Sequence, residues 1–281
     1  MVTNIAHRGA RSVAPENTIM AGRKAVEFGA DLWEVDVAVT GDGVLILFHD
    51  TTLERTTNVG ECFPGRSKDP FTTFTFDEIR QLDAGTWFTE TDPFGQIAAG
   101  AVSDAELAEC RKQKVPSLED ILVFTRDSGF AVNLELKDLP DPMSDFPMPQ
   151  RVLTLVNELG MGPEQIIFSS FNHSWLRQIM EMAPQFRIQA LIGEPEDRPL
   201  DWGDESFSVY NALHTWVEDE KIRELARKNI GVNLWTVNDE SQMKRFIAAG
   251  AQGIITDFPQ VLKRLAGETD AGTPPSASRN R

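Results

Sequence analysis

Cysteine is scarce in this chain: 281 residues hold only Cys62 and Cys110, and no CxxC pair. Zinc clusters and disulfide scaffolds therefore lack ligands. Positive charge is short as well, with 27 Lys and Arg against 43 Asp and Glu, a formal net charge of −16. A field of that sign repels nucleic-acid backbones and anionic membrane surfaces, and no basic run offsets it, so nucleic acid is excluded as a partner. No apolar run approaches the ~18 residues of a membrane helix, so no integral membrane segment is expected. Met1–Ala6 is too short for the apolar core of a secretory leader, and polar His7-Arg8-Gly9 follows. A soluble, cytoplasmic protein is the expectation. There is no G-x-S-x-G elbow and no cysteine near a strand end, which leaves a covalent nucleophile without support.

Aromatic residues, by contrast, are plentiful: 17 Phe and 6 Trp exclude disorder throughout. Short apolar runs alternate with helical stretches, the pattern of βα units and a mainly parallel sheet. Strands are expected at 4–7, 32–37, 44–48, 131–137, 165–170, 187–192, 207–213, 232–237 and 253–256. Helices are expected between them, Gly231 and Gly250 supplying left-handed residues at helix ends. Nine strands exceed the eight of a barrel by one. Asp42-Gly43 explains the excess. It is a hairpin signal between the second and third strands, where no crossover helix fits. One of those two strands is then an antiparallel addition, and an α/β fold of the (β/α)8 TIM-barrel type remains. Residues 1–266 read as a single barrel domain. Residues 50–115 break the βα rhythm and read as a compact insertion after the strand ending at His49, with capping boxes at Thr75-x-x-Glu78 and Ser103-x-x-Glu106. The tail, 267–281, reads as disordered.

Barrel enzymes carry their chemistry at the C-terminal ends of strands. His7 and Arg8 stand at the first such end, Glu34 and Asp36 at the second, His49 and Asp50 on the hairpin return, and Glu135 and Lys137 on the fourth strand. Carboxylates two residues apart share a strand face. Three converging acids would raise one another's pKa unless a cation sat among them, and oxygen ligands from Glu34, Asp36 and Glu135 suit Mg²⁺ or Ca²⁺. A turn at Gly41–Gly43 pairs residues whose numbers total about 84, which sets His49 roughly opposite Glu34 or Asp36. Two imidazoles at one barrel mouth can act as general acid and general base. Arg8 and Lys137 are salt-bridge partners of these acids or a clamp for a phosphate. Trp235 is a core residue or an apolar wall of the site.

These residues, in this order, resemble the glycerophosphodiester phosphodiesterase family over about residues 4–262. The segments that carry the resemblance include His7-Arg8-Gly9-Ala10, Pro15-Glu16-Asn17-Thr18, Glu34-Val35-Asp36, Phe48-His49-Asp50, Leu53-Glu54-Arg55-Thr56-Thr57, Asn133-Leu134-Glu135-Leu136-Lys137, Ser169-Ser170-Phe171, Trp235-Thr236-Val237-Asn238 and Thr256-Asp257. The resemblance implies a phosphodiesterase barrel with Glu34, Asp36 and Glu135 as ligands of one divalent cation, and His7 and His49 as the acid/base pair. Arg8, with Lys137 nearby, corresponds to the substrate-phosphate cation, and Phe171 and Trp235 to the aromatic wall. Glu16 and Asn17 match the segment that supports the first histidine. The implied reaction is hydrolysis of a glycerophosphodiester to sn-glycerol 3-phosphate and an alcohol through a cyclic phosphate. The stretch between Trp87-Phe88 and Pro116 is longer than the family pattern and is expected to cover the mouth.

Alternatives remain open at this level. They are a related phosphodiesterase that acts on lysophospholipids or releases the cyclic phosphate, a metal-dependent barrel lyase, and a non-catalytic metal-binding barrel. The preferred headgroup, the choice between Mg²⁺ and Ca²⁺, the order in which the histidines act, and assembly into a homo-oligomer are not legible.

Overall fold

A computed structural model describes residues 2–193 and 199–271. The strands are β1 (Thr3–His7), β2 (Leu32–Val39), β3 (Leu45–Leu47), β4 (Val132–Leu136), β5 (Ile166–Ser170), β6 (Arg187–Ile192), β7 (Val209–Leu213), β8 (Gly231–Trp235) and β9 (Gly253–Thr256). Eight of them run parallel in the order β1-β9-β8-β7-β6-β5-β4-β2, and pairing of β1 with β2 closes the barrel. Helices follow most strands, as parallel neighbours require. Among the described residues, none lies between β6 and β7.

β3 is the added strand. Its strand partner is β2, antiparallel, through Val37↔Leu47, Ala38↔Ile46 and Val39↔Leu45, each pair totalling 84 as the turn position demands, and Ile46 makes an isolated bridge to Ser117. β2 can serve both neighbours on one edge because it is eight residues long. Its first three residues, Leu32–Glu34, pair with β1, and its last three, Val37–Val39, overhang the end of β1 and take β3. The overhang carries His49 to the mouth, anchored by the Phe48 N–H donating to the Asp36 carbonyl at 3.0 Å.

Outward-facing strand residues fill the layer beneath the helices. Trp33 is fully buried there, edge-on to Phe124 with ring centroids 5.7 Å apart, its indole N–H donating to Thr125 at 3.3 Å. Gly22 in the helix Ile19–Glu27 makes room for it, since a Cβ would lie 2.7 Å from the indole ring.

Between β3 and β4 run five helices, Val59–Cys62, Phe76–Gln81, Thr86–Thr91, Asp104–Cys110 and Leu118–Asp127. Capping boxes from Thr75, Ser103 and Ser117 start three of them. Two local expectations need correction. Gly250 does end its helix in the left-handed region (φ 89°), but after Asp219–Arg227 that conformation belongs to Asn229 (φ 60°). Gly231 instead begins β8, where a Cβ would lie 1.8 Å from the Gln252 side chain. The C-terminal helix Pro259–Ala271 also runs into the segment read as tail; residues 272–281 lie outside the described residues.

Candidate active site

Register brings the acids together. His7 is level with Glu34 across β1 and β2, and Asp36 with Glu135 across β2 and β4. Carboxylate oxygens of Glu34, Asp36 and Glu135 all lie within 4.8 Å of one another. Glu34 and Asp36 are buried, and the Glu135 side chain is 12% exposed. Burial pushes the Glu34 carboxyl well above the usual carboxylate range, and the charges of Asp36 and Glu135 add to the push. Burial acts the same way on Asp36, but Arg8, His49, Lys137 and a hydrogen bond from Asn17 outweigh it and hold Asp36 ionised. Glu34 Oε1 is buried without a hydrogen-bond partner among the described residues. An all-oxygen donor set, like charges crowded together and one free buried oxygen fit a hard divalent cation.

Each histidine is backed by a carboxylate. His7 Nδ1 lies 2.7 Å from Asp257 Oδ1. Asp257 is itself fixed by Asn238, whose Nδ2 donates to Oδ2 at 2.6 Å and whose Oδ1 accepts the Asp257 N–H at 3.0 Å. His49 Nδ1 lies 2.7 Å from Asp50 Oδ1, and Arg55 donates twice to the same carboxylate, at 2.6 and 2.9 Å. An ionised carboxylate accepts the Nδ1 proton, so Nε2 of each ring is left for chemistry. Burial lowers the pKa of His7, and Arg8 lowers it further, against the opposing pull of Asp257.

Glu16 joins the two halves. It accepts from Arg8 at 2.8 Å, Arg11 at 2.9 Å, and Arg55 at 2.6 and 3.0 Å. Despite burial, these guanidinium groups bring its carboxyl down to about 2. Arg8 also reaches Asp36 at 3.0 Å, and its backbone N–H donates to Glu34 at 3.0 Å. Arg8 and Asn17 both hold positive φ, 54° and 56°. That conformation costs about 1–2 kcal/mol for a residue with a side chain and persists where the surroundings impose it.

One cavity of about 370 Å³ is lined by His7, Arg8, Glu34, His49, Glu135, Lys137, Phe171 and Trp235. The structure thus gathers eight of the residues singled out from the sequence around one space. Lys137 Nζ donates to Glu135 at 2.8 Å and lies 3.6 Å from Asp36; Glu135 and Asp36 raise its pKa against the effect of burial. Phe171 and Trp235 meet edge to face, centroids 5.7 Å apart. Glu16 and Asn17 bear on the His7 segment through Arg8, whose guanidinium donates to Glu16 and whose carbonyl accepts the Asn17 N–H at 3.1 Å. Asn17 also spans Asp36, donating to its carboxylate at 2.8 Å and accepting its backbone N–H at 3.2 Å, and the His7 ring itself is held by Asp257. The longer stretch 91–115 contributes no residue to the cavity lining. It touches the surroundings of the site through Phe94, which packs on Phe258 and under the Arg11 guanidinium, and through Val115, which lines a small cleft with Glu16, Asn17 and His49.

Asp257, Asp50, Arg55 and Arg11 were not assigned roles from the sequence. The first three stand inside recognisable segments, but their partners are settled only by how the barrel closes.

A closed parallel barrel with a buried acid triad and two carboxylate-backed histidines at the C-terminal ends of its strands defines a class: phosphodiesterase-type (β/α)8 barrels. Residues 7–261 match the glycerophosphoryl diester phosphodiesterase family. The chain is 37% identical over 268 residues to a glycerophosphodiester phosphodiesterase of Caldanaerobacter subterraneus subsp. tengcongensis, covering 93% of this chain and 96% of that one. It is 33% identical to glycerophosphodiester phosphodiesterase domain-containing protein 5 of Gallus gallus, of which it spans 42%. The solved glycerophosphodiester phosphodiesterase of Agrobacterium tumefaciens superposes with a TM-score of 0.69 at 27% identity, over 94% of this chain and 100% of that one. This chain belongs to the glycerophosphoryl diester phosphodiesterase family.

Proposed function

We propose that this protein hydrolyses glycerophosphodiesters to sn-glycerol 3-phosphate and a free alcohol, using His7 and His49 as acid/base pair. The observation that carries the reading is the pair of imidazoles, each with Nδ1 engaged by an aspartate, on one cavity with Glu34 and Glu135 of the acid triad. Glu34, Asp36 and Glu135 would hold one divalent cation, Mg²⁺ or Ca²⁺. When bound, it supplies positive charge that polarises a phosphoryl oxygen and makes a nearby hydroxyl more acidic.

The side chains then divide the proton traffic. One histidine accepts at Nε2 the proton of a glycerol hydroxyl as that oxygen attacks phosphorus, forming a cyclic phosphate. The other donates its proton to the departing alcohol oxygen. In the second half the roles exchange, and water opens the ring. Burial, helped by Arg8, lowers the basicity of His7 against the pull of Asp257. Asp257 and Asp50 hold each ring in one tautomer and stabilise the imidazolium that forms. Arg8 and Lys137, both cationic beside the acids, offset charge that grows on the phosphoryl oxygens. Phe171 and Trp235 form the apolar wall that limits water.

A substrate panel tests the reading. Glycerophosphocholine, glycerophosphoethanolamine, glycerophosphoglycerol and a lysophospholipid are incubated with Mg²⁺ or Ca²⁺ and followed by phosphorus NMR. The expected product is sn-glycerol 3-phosphate from the deacylated diesters. Exclusive turnover of the lysolipid, or accumulation of cyclic phosphate, would replace the reading with the related phosphodiesterase activities. No turnover of any substrate would point to a metal-binding barrel without catalysis.

A further inference from the structure

The insertion, residues 50–115, places no residue on the wall of the main cavity. Its first residue, Asp50, backs His49, and the side chain that grips Asp50 is Arg55. Arg55 uses two edges of its guanidinium. Nε and Nη2 donate to the two oxygens of Asp50 at 2.6 and 2.9 Å. Nη1 and Nη2 donate to the two oxygens of Glu16 at 3.0 and 2.6 Å. A guanidinium is planar and its N–H groups point in fixed directions, so it sets the orientation of both carboxylates at once. Asp50 Oδ1 is also the atom that faces His49 Nδ1, at 2.7 Å. The Asp50 side chain is 26% exposed, so burial alone does not hold it in that pose. Burial favours the neutral acid, but hydrogen bonds from His49 and Arg55 prevail and keep Asp50 ionised. An ionised carboxylate only accepts, so Asp50 held in this pose selects the His49 ring with its proton on Nδ1.

Arg55 stands on a fixed base. The Thr57 hydroxyl donates to the Leu53 carbonyl at 2.6 Å, and Leu53 is buried. Asn58 exchanges two hydrogen bonds with Asp83: its N–H donates to the Asp83 carbonyl at 3.1 Å, and its Oδ1 accepts the Asp83 N–H at 2.8 Å. That joins the Arg55 segment to the one bearing Trp87, whose ring centre lies 5.8 Å from the guanidinium. On the barrel side, Glu16 is anchored by Arg8 and Arg11. A direct role for Arg55 on substrate finds no support. It does not line the main cavity, and its hydrogen bonds to the two carboxylates occupy Nε, Nη1 and Nη2.

We infer that Arg55 is a positioning residue for His49: the insertion contributes to the reaction by delivering a guanidinium that fixes Asp50 and, through it, the tautomer and aim of the His49 ring. The inference rests on the reading of His49 as an acid/base group and adds what keeps that ring ready. Charge alone does not achieve this, since the ammonium of a lysine is a point charge on a flexible stem, without a planar fork.

Arg55→Ala and Arg55→Lys, compared with wild type in Mg²⁺, test it by two measurements. The first is steady-state turnover of the diester cleaved fastest in the substrate panel. Both variants are expected to lower kcat about 10–100-fold, the usual cost of losing a group that orients a reacting side chain from behind, with KM within about threefold of wild type. Added to His49→Ala, Arg55→Ala is expected to cost less than about threefold more, because residues that act as a unit are not additive. The second is the His49 tautomer, read without substrate from long-range proton–nitrogen NMR correlations of labelled histidines above the imidazole pKa. Wild type is expected to show the Nδ1–H form and both variants a mixture with the Nε2–H form. His173 and His214, whose rings hydrogen-bond the Leu191 and Trp235 carbonyls, should keep their signals and report an intact fold. An unchanged His49 tautomer in both variants, full activity of Arg55→Lys, or a loss confined to KM would overturn the inference. Because the tautomer is read without turnover, a panel in which nothing is cleaved would defeat the hydrolytic reading and leave the ring measurement to judge Arg55 by itself.

Discussion

Glu16 carries no chemistry of its own in this account, yet replacing it should be one of the most damaging single changes near the site. Its carboxylate is 4% exposed and is shared by Arg8, Arg11 and Arg55, whose side chains are 9%, 16% and 41% exposed. These cations lower its pKa from 4.5 to about 2. That drop corresponds to about 3 kcal/mol of net attraction for the ionised form. The value sits at the low end of the ~3–5 kcal/mol lost when one partner is removed from a buried ion pair, as expected with Arg55 screened by solvent. Glu16→Gln keeps the shape and removes the charge. Urea unfolding at pH 7 should show the variant about 3 kcal/mol less stable, or roughly 6–12 °C lower in Tm for a chain of this size. The pH dependence has a definite sign. A carboxyl whose pKa is depressed by folding contributes fully above its unfolded value of 4.5 and loses that contribution as pH falls toward about 2. The stability gap between wild type and Glu16→Gln should therefore narrow below pH 4.5. A gap under about 1 kcal/mol at pH 7, or one that stays constant down the acid limb, would refute the arginine hub as a source of stability.

The histidines and their aspartates should respond differently from Glu16. His7→Ala and His49→Ala are each expected to lower kcat by roughly 10²–10⁴ with little change in unfolding midpoint; near wild-type rates in both would remove them from acid/base work. Asp257→Asn should leave substrate affinity close to wild type and lower kcat by up to about 10⁴, because an amide no longer fixes the His7 tautomer. A change in KM alone would make Asp257 a binding residue instead. Chelation with EDTA should abolish turnover, with recovery on adding back Mg²⁺ or Ca²⁺; unchanged rates without divalent ions would take the cation out of the scheme.

The architecture was legible in the sequence wherever one local signal decided it. Asp42-Gly43 announced the hairpin, and the symmetry of a hairpin about its turn gave the Val37↔Leu47 register before any coordinate. Two Ser/Thr-x-x-Glu boxes marked true helix starts for the same reason: both partners lie within one turn. Gly231 misled because a glycine after a helix serves a left-handed turn or a close approach equally well, and here Asn229 took the turn. The acid triad could be read since strand alternation puts Glu34 and Asp36 on one face. What supports it could not. His7 and Asp257 are 250 positions apart, and Arg55 reaches Glu16 across 39 positions from within an insertion whose path has no local code. Such partners follow from barrel closure, which decides which strand ends become neighbours.

The central claim is that acids from separate strands share one divalent ion at this mouth. Calorimetric titration of Ca²⁺ into wild-type protein and into Glu135→Gln tests it most directly. One ion per chain is predicted for wild type, with affinity at least about 10-fold weaker once the β4 carboxylate is gone. Undiminished affinity in Glu135→Gln would contradict the shared site.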